Sequence, residues 1–166
     1  DVVYSSQMDV FSRISMKSLK VQTFERFQLA KDVSLVDKTK LVTATTRGVS
    51  VVSIAESSTK WDSIKLSDLA CYKVQYNPLD KRIYAANIQG LTSYDTGYVQ
   101  NSIKFNNAEI LGLDITYTAN GITWVSTVND GLLGLKQGEI IEHFSLGQGL
   151  VSKGIKKITA EENTLW

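Results

Sequence analysis

Short runs of alternating apolar and polar residues recur along this chain, separated by turns rich in Asn, Asp and Gly. The clearest four runs span residues 110–117, 123–127, 132–135 and 140–144. Alternation with a period of two predicts half-buried strands. Asn-Gly and Asn-Asp-Gly between such runs predict hairpins, because these residues tolerate the positive φ that tight turns require. Each group of four runs is therefore predicted to form an antiparallel meander.

The pattern repeats about every forty residues. A glycine opens the third run of three successive copies: Gly48, Gly90 and Gly131. An aromatic residue recurs in the second run: Tyr84, Trp124 and Trp166. Neighbouring members of each series are 40 to 42 residues apart, and a weaker first copy has Asp9 at the glycine position. Four antiparallel strands per unit of this length are typical of a β-propeller blade.

The predicted fold class is all-β, a β-propeller fragment of about four four-stranded antiparallel blades in one partial domain, 1–166. The blades are expected at 1–29, 30–69, 70–109 and 110–154, and 155–166 would start the next one, with an innermost strand over 155–160. A closed ring of four blades is the alternative, but in such a ring Leu165-Trp166 would occupy the same place in a second strand as Val2-Val3. We therefore expect an arc of a larger, seven-bladed ring, whose remaining blades and downstream domains lie in the same protein.

Composition and charge exclude several classes of function. The chain has 18 Lys and Arg against 17 Asp and Glu, a net charge of +1, so the basic field of a nucleic-acid binder is absent. A single cysteine (Cys71) and a single histidine (His143) cannot form a His/Cys zinc site, and no metal or cofactor is predicted. No apolar run reaches the roughly 18 to 20 residues of a membrane span, so this segment is not expected to insert into a membrane.

The best copy also resembles a known repeat family. Residues 120–127, with the Asn-Gly turn and Trp124, and 129–132, with Gly131-Leu132, resemble the two-component regulator propeller repeat. The segments 149–155 and 163–166 look like its linker between blades and the start of a further copy. The resemblance is good over 110–166, moderate over 71–109 and weak before residue 71, where Val42 and Asp9 replace the aromatic residue and the glycine.

This resemblance implies the extracytoplasmic sensor region of a hybrid histidine kinase. It implies a non-catalytic segment that responds to oligosaccharides from glycan breakdown. It further implies a location on the periplasmic or extracellular side, membrane anchoring through other parts of the protein, and a homodimer in the intact molecule. Two other classes remain open: a structural or protein-interaction propeller of a surface or secretion-accessory protein, and an enzyme, which would need paired carboxylates or a Tyr or His base.

Candidate ligand contacts follow from the topology of a meander. Turns between second and third strands, and connections between blades, emerge at the same end of the sheets. The polar residues expected there are Arg47, Asn87, Gln89, Asn106, Asn107, Asn129 and Asp130. Their amide, guanidinium and carboxylate groups suit hydrogen bonds to sugar hydroxyls. The alternative is that Asn and Asp are present because they form turns well.

The remaining conspicuous residues have structural interpretations. The repeat aromatics Tyr84, Trp124 and Trp166 are predicted to pack between blades, and Gly48, Gly90 and Gly131 to serve in turns. No catalytic residue is predicted. His143 is expected at the surface or half-buried on a strand, since no nucleophile motif accompanies it, and Cys71 is expected to act as a small hydrophobe. Edge packing is expected for two outer-strand aromatics, Trp61 and Phe144, and a solvated edge for three basic residues, Lys153, Lys156 and Lys157.

Overall fold

The computed structural model describes residues 2–7, 10–24, 30–54 and 62–166, which form a series of antiparallel sheets. The first sheet contains β1 (Val2–Gln7), β2 (Val10–Ser15) and β3 (Val21–Phe24). The second contains β4 (Ala30–Asp37), β5 (Lys40–Thr45), β6 (Gly48–Ser53) and β7 (Ser63–Ser67). In both sheets every strand pairs with the next one along the chain, as in a meander.

The third and fourth sheets have the same plan. The third contains β8 (Cys71–Asn77), β9 (Arg82–Asn87), β10 (Gly90–Tyr94), β11 (Gln100–Phe105) and a short fifth strand, β12 (Ala108–Glu109). The fourth contains β13 (Gly112–Tyr117), β14 (Thr123–Thr127), β15 (Leu132–Lys136) and β16 (Glu139–Phe144). A 3-10 turn follows at Leu146–Gln148, and the chain ends in the hairpin β17 (Ala160–Glu161) and β18 (Thr164–Leu165). The all-β prediction is confirmed.

Two predicted elements differ from the structure. The innermost strand predicted over 155–160 is irregular before Ala160, where β17 begins, because Ile155 N donates to Thr127 O and Ile158 N donates to Asp114 Oδ2 instead of to one ladder partner. Asn106 and Asn107, predicted between blades, instead form the turn of the β11–β12 hairpin. Both have positive φ, 51° and 65°, which asparagine tolerates better than most residues.

The sheets have two distinct ends, which we call the upper and lower faces. The upper face contains the turns between second and third strands, at 46–47, 88–89 and 128–130, together with the connections from one sheet to the next. The lower face contains the turns at 38–39, 78–81, 95–99 and 137–138. Gly48, Gly90 and Gly131 lie at the upper face, where all three adopt positive φ.

The hydrophobic core lies between successive sheets. In β9, alternate residues point to opposite sides: Ile83 and Ala85 pack against the second sheet, and Tyr84 and Ala86 against the fourth. The second and third sheets thus bury both of their faces, which explains the nearly continuous burial of their middle strands. No helix of the described residues is long and apolar enough to cross a membrane.

The repeat aromatics do not share one environment. Tyr84 is fully buried between the third and fourth sheets, and Trp124 packs with Leu132 and Ile158 on the far side of the fourth. Trp166 is 74% exposed, and no sheet of the described residues covers the outer side of the last hairpin. Its packing between blades therefore stays a prediction.

Candidate functional site

A polar cleft opens on the upper face between the third and fourth sheets. Its volume is about 170 Å³. Its walls come from the end of β11 and the following turn, from the β14–β15 turn, and from β16 with the segment after it. The lining residues are Phe105, Asn106, Asn129, Asp130, His143, Ser145 and Lys153.

His143 is the most tightly positioned side chain of the cleft. Its Nε2 lies 2.8 Å from the backbone oxygen of Asp130. A carbonyl can only accept a hydrogen bond, so Nε2 is the donor and the neutral ring has an unprotonated Nδ1. The imidazole also packs on Phe105, with ring centroids 4.7 Å apart. These two contacts hold a hydrogen-bond acceptor and an aromatic surface in fixed positions.

The β14–β15 turn presents the polar groups of the opposite wall. Asp130 N donates to Thr127 Oγ1 at 2.8 Å, and Thr127 Oγ1 donates to the Gly131 carbonyl at 2.9 Å. These bonds fix the backbone of the turn and leave the Asn129 side chain exposed, without a hydrogen bond to the described residues. Lys153, on the other side of the cleft, has no carboxylate of a described residue within ion-pair distance.

The structure separates the seven predicted ligand residues into two groups of three and a single residue, Asn87. Asn106, Asn129 and Asp130 meet in the cleft. Arg47, Gln89 and Asn107 are exposed on the upper face but do not line the cleft. Sequence reasoning did not identify Phe105, His143, Ser145 and Lys153 as cleft residues, because they come together only where two sheets adjoin.

Asn87 differs from the others because its side chain is used inside its own turn. It is 5% exposed. Its Oδ1 accepts from Gln89 N at 2.8 Å, and its Nδ2 donates to Thr92 Oγ1 at 3.4 Å. Turn formation therefore accounts for the two hydrogen bonds of Asn87, and a ligand contact of this side chain stays a prediction.

A second polar cluster lies at the inner strands, below the upper face. Lys73 Nζ is 3.2 Å from Asp32 Oδ2 and 3.2 Å from Asp114 Oδ1. The three residues are 41 positions apart and belong to the first strands of three successive sheets. Burial lowers the pKa of Lys73, but the two carboxylates outweigh it, and the net pKa is raised. Lys73 therefore stays charged near neutral pH, and the cluster connects three sheets.

Each carboxylate also accepts a backbone hydrogen bond from the next inner segment. Asp32 Oδ2 accepts from Val74 N at 3.0 Å, and Asp114 Oδ2 accepts from Ile158 N at 3.1 Å. The repeated bond places each sheet in the same register against its neighbour. It also offsets part of the cost of burying the charges.

A buried Tyr–Asp pair on the lower face connects the third and fourth sheets. Tyr84 OH donates to Asp80 Oδ2, and Gln137 N donates to Asp80 Oδ1 at 2.8 Å. Gly138 N donates to Tyr84 OH at 3.1 Å. Burial, followed by the hydrogen bond to Asp80, raises the pKa of Tyr84, and the hydroxyl is closed to solvent. The raised pKa keeps the Tyr84 hydroxyl protonated near neutral pH, and its hydrogen bonds hold the third and fourth sheets together.

Cys71 provides a test of core burial. It is 1% exposed, and its thiol contacts the carbonyls of Ala86 and Lys73 at 3.1 and 3.3 Å. Burial raises the pKa of Cys71 to about 12. At pH 8 only about one thiol in ten thousand would be ionised, so we expect iodoacetamide to leave the folded chain unmodified and to modify it fully in denaturant.

The control for this labelling is Ser102→Cys, made together with Cys71→Ser. Ser102 is exposed on β11, and a cysteine there should react in the folded state. Native Cys71 reacting as fast as the exposed cysteine, followed by mass spectrometry, would contradict the described burial.

Several other residues named in the sequence analysis have definite places in the structure. The described residues contain no group of three His, Cys, Asp or Glu side chains placed to hold a metal ion. Phe144 is 38% exposed, and its ring lies 5.8 Å from that of Trp124. Lys156 and Lys157 are exposed near the end of the chain. Trp61 and Asp9 lie outside the described residues.

Comparison with known proteins establishes the architecture. The sequence matches no protein-family model and no curated protein. Among solved structures, PorZ, a surface component of the type-IX secretion system of Porphyromonas gingivalis, superposes with a TM-score of 0.75 at 11% identity, over 96% of this chain and 28% of PorZ. The WD40 propeller domain of Doa1 superposes with a TM-score of 0.53 at 13% identity, over 70% of this chain and 41% of that one. The fold is a β-propeller.

Signalling proteins also occur among the structures similar to this propeller. The extracellular domain of a protein described as a hybrid two-component system from B. thetaiotaomicron has a TM-score of 0.72 at 19% identity, over 100% of this chain and 24% of that chain. An inactive virginiamycin B lyase from Staphylococcus aureus has a TM-score of 0.74 at 15% identity, over 99% of this chain and 58% of the lyase. The chain thus spans well under two thirds of these proteins. At such identities the likeness shows the fold alone.

Proposed function

We propose that this chain is a ligand-binding, non-catalytic propeller segment of an extracytoplasmic sensor in a two-component system. The observation that carries the proposal is the upper-face cleft, whose Asn106, Asn129 and Lys153 side chains have no hydrogen-bond or ion-pair partner among the described residues. The likeness to extracellular domains of two-component systems supports the signalling role. Ligand binding would act on signalling by favouring one receptor arrangement over another.

The groups in the cleft suit a small oligosaccharide from glycan breakdown. Sugar hydroxyls both donate and accept hydrogen bonds. The asparagine amides offer both functions, Lys153 donates, and Nδ1 of His143 accepts. The Phe105 ring provides an apolar surface of the kind that packs against the C–H face of a sugar. Few converging polar groups beside an aromatic surface are usual in small-molecule sites.

In this proposal the sheets are blades of a larger propeller. The blades occupy about 1–29, 30–69, 70–109 and 110–154, and 155–166 begins another. The remaining blades, a membrane anchor and a histidine kinase would belong to other parts of the same protein. The propeller would lie on the periplasmic or extracellular side, and the intact receptor would be a homodimer.

A second candidate function is a protein-interaction propeller of a surface or secretion-accessory protein. The observation that favours it is the likeness to PorZ, with a TM-score of 0.75 over 96% of this chain. In that case the upper face would contact protein, and removal of the Asn106 and Asn129 amides would not change oligosaccharide binding.

The cleft proposal predicts that Asn106→Ala combined with Asn129→Ala weakens oligosaccharide binding at least tenfold. The loss of two hydrogen bonds, at about 1 kcal/mol each, amounts to roughly thirtyfold in Kd. Binding by the full chain would be screened on an oligosaccharide array, and the best binder would then be titrated by calorimetry.

The matched control is Asn107→Ala combined with Asn101→Ala. Asn107 has the same positive-φ turn conformation as Asn106 but does not line the cleft, and Asn101 is exposed on β11. Equal weakening by both double variants would contradict the assignment of the cleft. Absence of binding to every oligosaccharide on the array would overturn the proposed ligand class.

A further inference from the structure

The centre of the upper face is apolar. Five large hydrophobic side chains there are 38% to 53% exposed: Tyr72, Ile88, Leu111, Leu113 and Val128. We call this set the apolar centre. None of the five lines the polar cleft. Several apolar side chains exposed on one face of two neighbouring sheets are uncommon for a surface that only meets water, and they point to an interaction site.

Two of the five side chains, Tyr72 and Leu113, lie in β-bulges that occur at equivalent positions of three sheets. The register of the first strand shifts between Ala30 and Asp32, between Cys71 and Lys73, and between Gly112 and Asp114. The extra residues are Lys31, Tyr72 and Leu113. A bulge removes one residue from the ladder and redirects its side chain, and bulges next to functional sites commonly serve this purpose.

Neighbouring contacts hold the apolar centre together. Tyr72 and Leu113 directly precede Lys73 and Asp114, whose ion pair joins the two inner strands at 3.2 Å. On each sheet the adjacent turn is fixed to the incoming connection, because Ile88 N donates to Ala70 O and Val128 N donates to Leu111 O, both at 3.0 Å. The side chains are thus presented by a rigid backbone, which reduces the entropy lost on binding.

Positive charges outnumber negative ones among the unpaired side chains that the structure describes around the apolar centre. Lys31, Arg47 and Lys156 are exposed on the upper face and have no carboxylate within ion-pair distance in the described part of the chain. Of the acidic residues nearby, Asp68 contacts Lys65 and Glu109 lies 2.8 Å from Lys104, which leaves Asp130 as an acid without an ion pair to a described residue. Complementary charge across the interface would therefore come from an acidic partner.

We propose that the apolar centre docks an extended, acidic protein segment whose alternate residues are apolar. Its apolar side chains would cover Tyr72 and Leu113, and its carboxylates would face Lys31, Arg47 and Lys156. A second copy of this chain is disfavoured as the occupant, because a two-fold contact would bring the same positive charges together. The inference goes beyond the proposed sensor function, since residues and occupant both differ from those of the cleft.

Three synthetic peptides of about twelve residues test the occupant, a length that spans roughly 40 Å when extended. One alternates Leu with Glu, one alternates Leu with Lys, and one alternates Ser with Glu. Fluorescence anisotropy with the full chain should show the Leu/Glu peptide binding at least tenfold more tightly than either of the others, with affinity falling as salt rises. Equal binding of the Leu/Lys or the Ser/Glu peptide would overturn the proposal.

Variants locate the binding. Tyr72→Ser with Leu113→Ser should weaken Leu/Glu binding at least tenfold. Leu79→Ser with Val99→Ser, which alters two still more exposed residues of the lower face, should leave it unchanged. Thermal melts of both double variants check that each is folded. Retained binding by the folded Tyr72/Leu113 variant would overturn the proposal, as would equal loss in the lower-face control.

Two further measurements exclude other occupants. Sedimentation of phosphatidylglycerol vesicles with the chain tests a membrane surface, and sedimentation velocity of the chain alone tests self-association. Vesicle binding or self-association that depends on Tyr72 and Leu113 and outcompetes the Leu/Glu peptide would overturn the proposal. The Asn106/Asn129 variant should bind the peptide normally, so failure here is distinguishable from failure of the cleft.

Discussion

Replacement of Lys73 by Met is expected to lower the free energy of unfolding by roughly 2 to 3 kcal/mol. Met keeps most of the side-chain volume but removes the charge that lies 3.2 Å from both Asp32 and Asp114. The side chains of these acids are only 20% and 9% exposed, so water compensates poorly for the lost partner. Because Lys73 itself is 26% exposed, the effect should be below the largest values known for buried pairs. Urea unfolding followed by fluorescence would measure it.

The pH dependence of this difference gives an independent check. The folded-state pKa of Lys73 lies above the ordinary value of 10.5, because Asp32 and Asp114 outweigh the burial. The stabilisation is therefore fully present below about pH 10 and is lost as pH rises through the folded-state pKa. The difference in stability between the native chain and the variant should stay constant from about pH 7 to about pH 10 and then shrink.

Lys104→Met is the matched control for the ion-pair prediction. Lys104 pairs with Glu109 at 2.8 Å, but both side chains are about half exposed, at 53% and 44%. An exposed pair of this kind contributes at most about 1 kcal/mol. A Lys104 variant that is as destabilised as the Lys73 variant would contradict the role assigned to the inner cluster.

Gly131→Ala is expected to lower the free energy of unfolding by about 2 to 3 kcal/mol. The φ of Gly131 is +78°, a region that residues with a Cβ rarely adopt. An added Cβ would also overlap the carbonyl oxygen of Phe144, a backbone atom of the adjoining strand that cannot rotate away. The clash would separate β15 from β16 at the cleft. We therefore expect a lower melting temperature and weaker oligosaccharide binding.

Gly147→Ala is the matched control for the glycine prediction. A Cβ on Gly147 would meet no atom within 4 Å, and the residue has no positive φ. The free energy of unfolding of the Gly147→Ala variant should remain within about 0.5 kcal/mol of that of the native chain. A neutral Gly131→Ala variant would show that the β14–β15 turn relaxes easily and that its geometry does not depend on glycine.

The strands were predictable because their signals are local. A period of two and Asn-Gly or Asp-Gly turns determine where a strand pairs with the next one, and both are visible without knowledge of distant residues. The strand Thr123–Thr127 was predicted with the bounds that the structure shows. The strand predicted over 155–160 is present only from Ala160, because Ile158 N donates to the Asp114 side chain and Ile155 N to Thr127 O, contacts that join distant residues.

The candidate site was only partly predictable. The alternation of turns between two faces correctly placed Asn106, Asn129 and Asp130 at one end of the sheets, where they meet in the cleft. The sequence could not show that Asn87 turns inward to hold its own hairpin. It also could not show which residues of one sheet face those of the next, so His143 and Lys153 were considered separately.

The amino-acid sequence by itself determined the all-β class, the repeat of about forty residues and the glycines at the turns, because each of these depends on residues close in sequence. Only the tertiary structure decided how one repeat meets the next. The ion-pair cluster joins residues roughly forty positions apart, namely Asp32, Lys73 and Asp114. The cleft beside His143 and the exposed bulge at Leu113 lie where two sheets adjoin. Contacts at that separation depend on how the sheets pack and twist against each other, and local pattern does not encode this geometry.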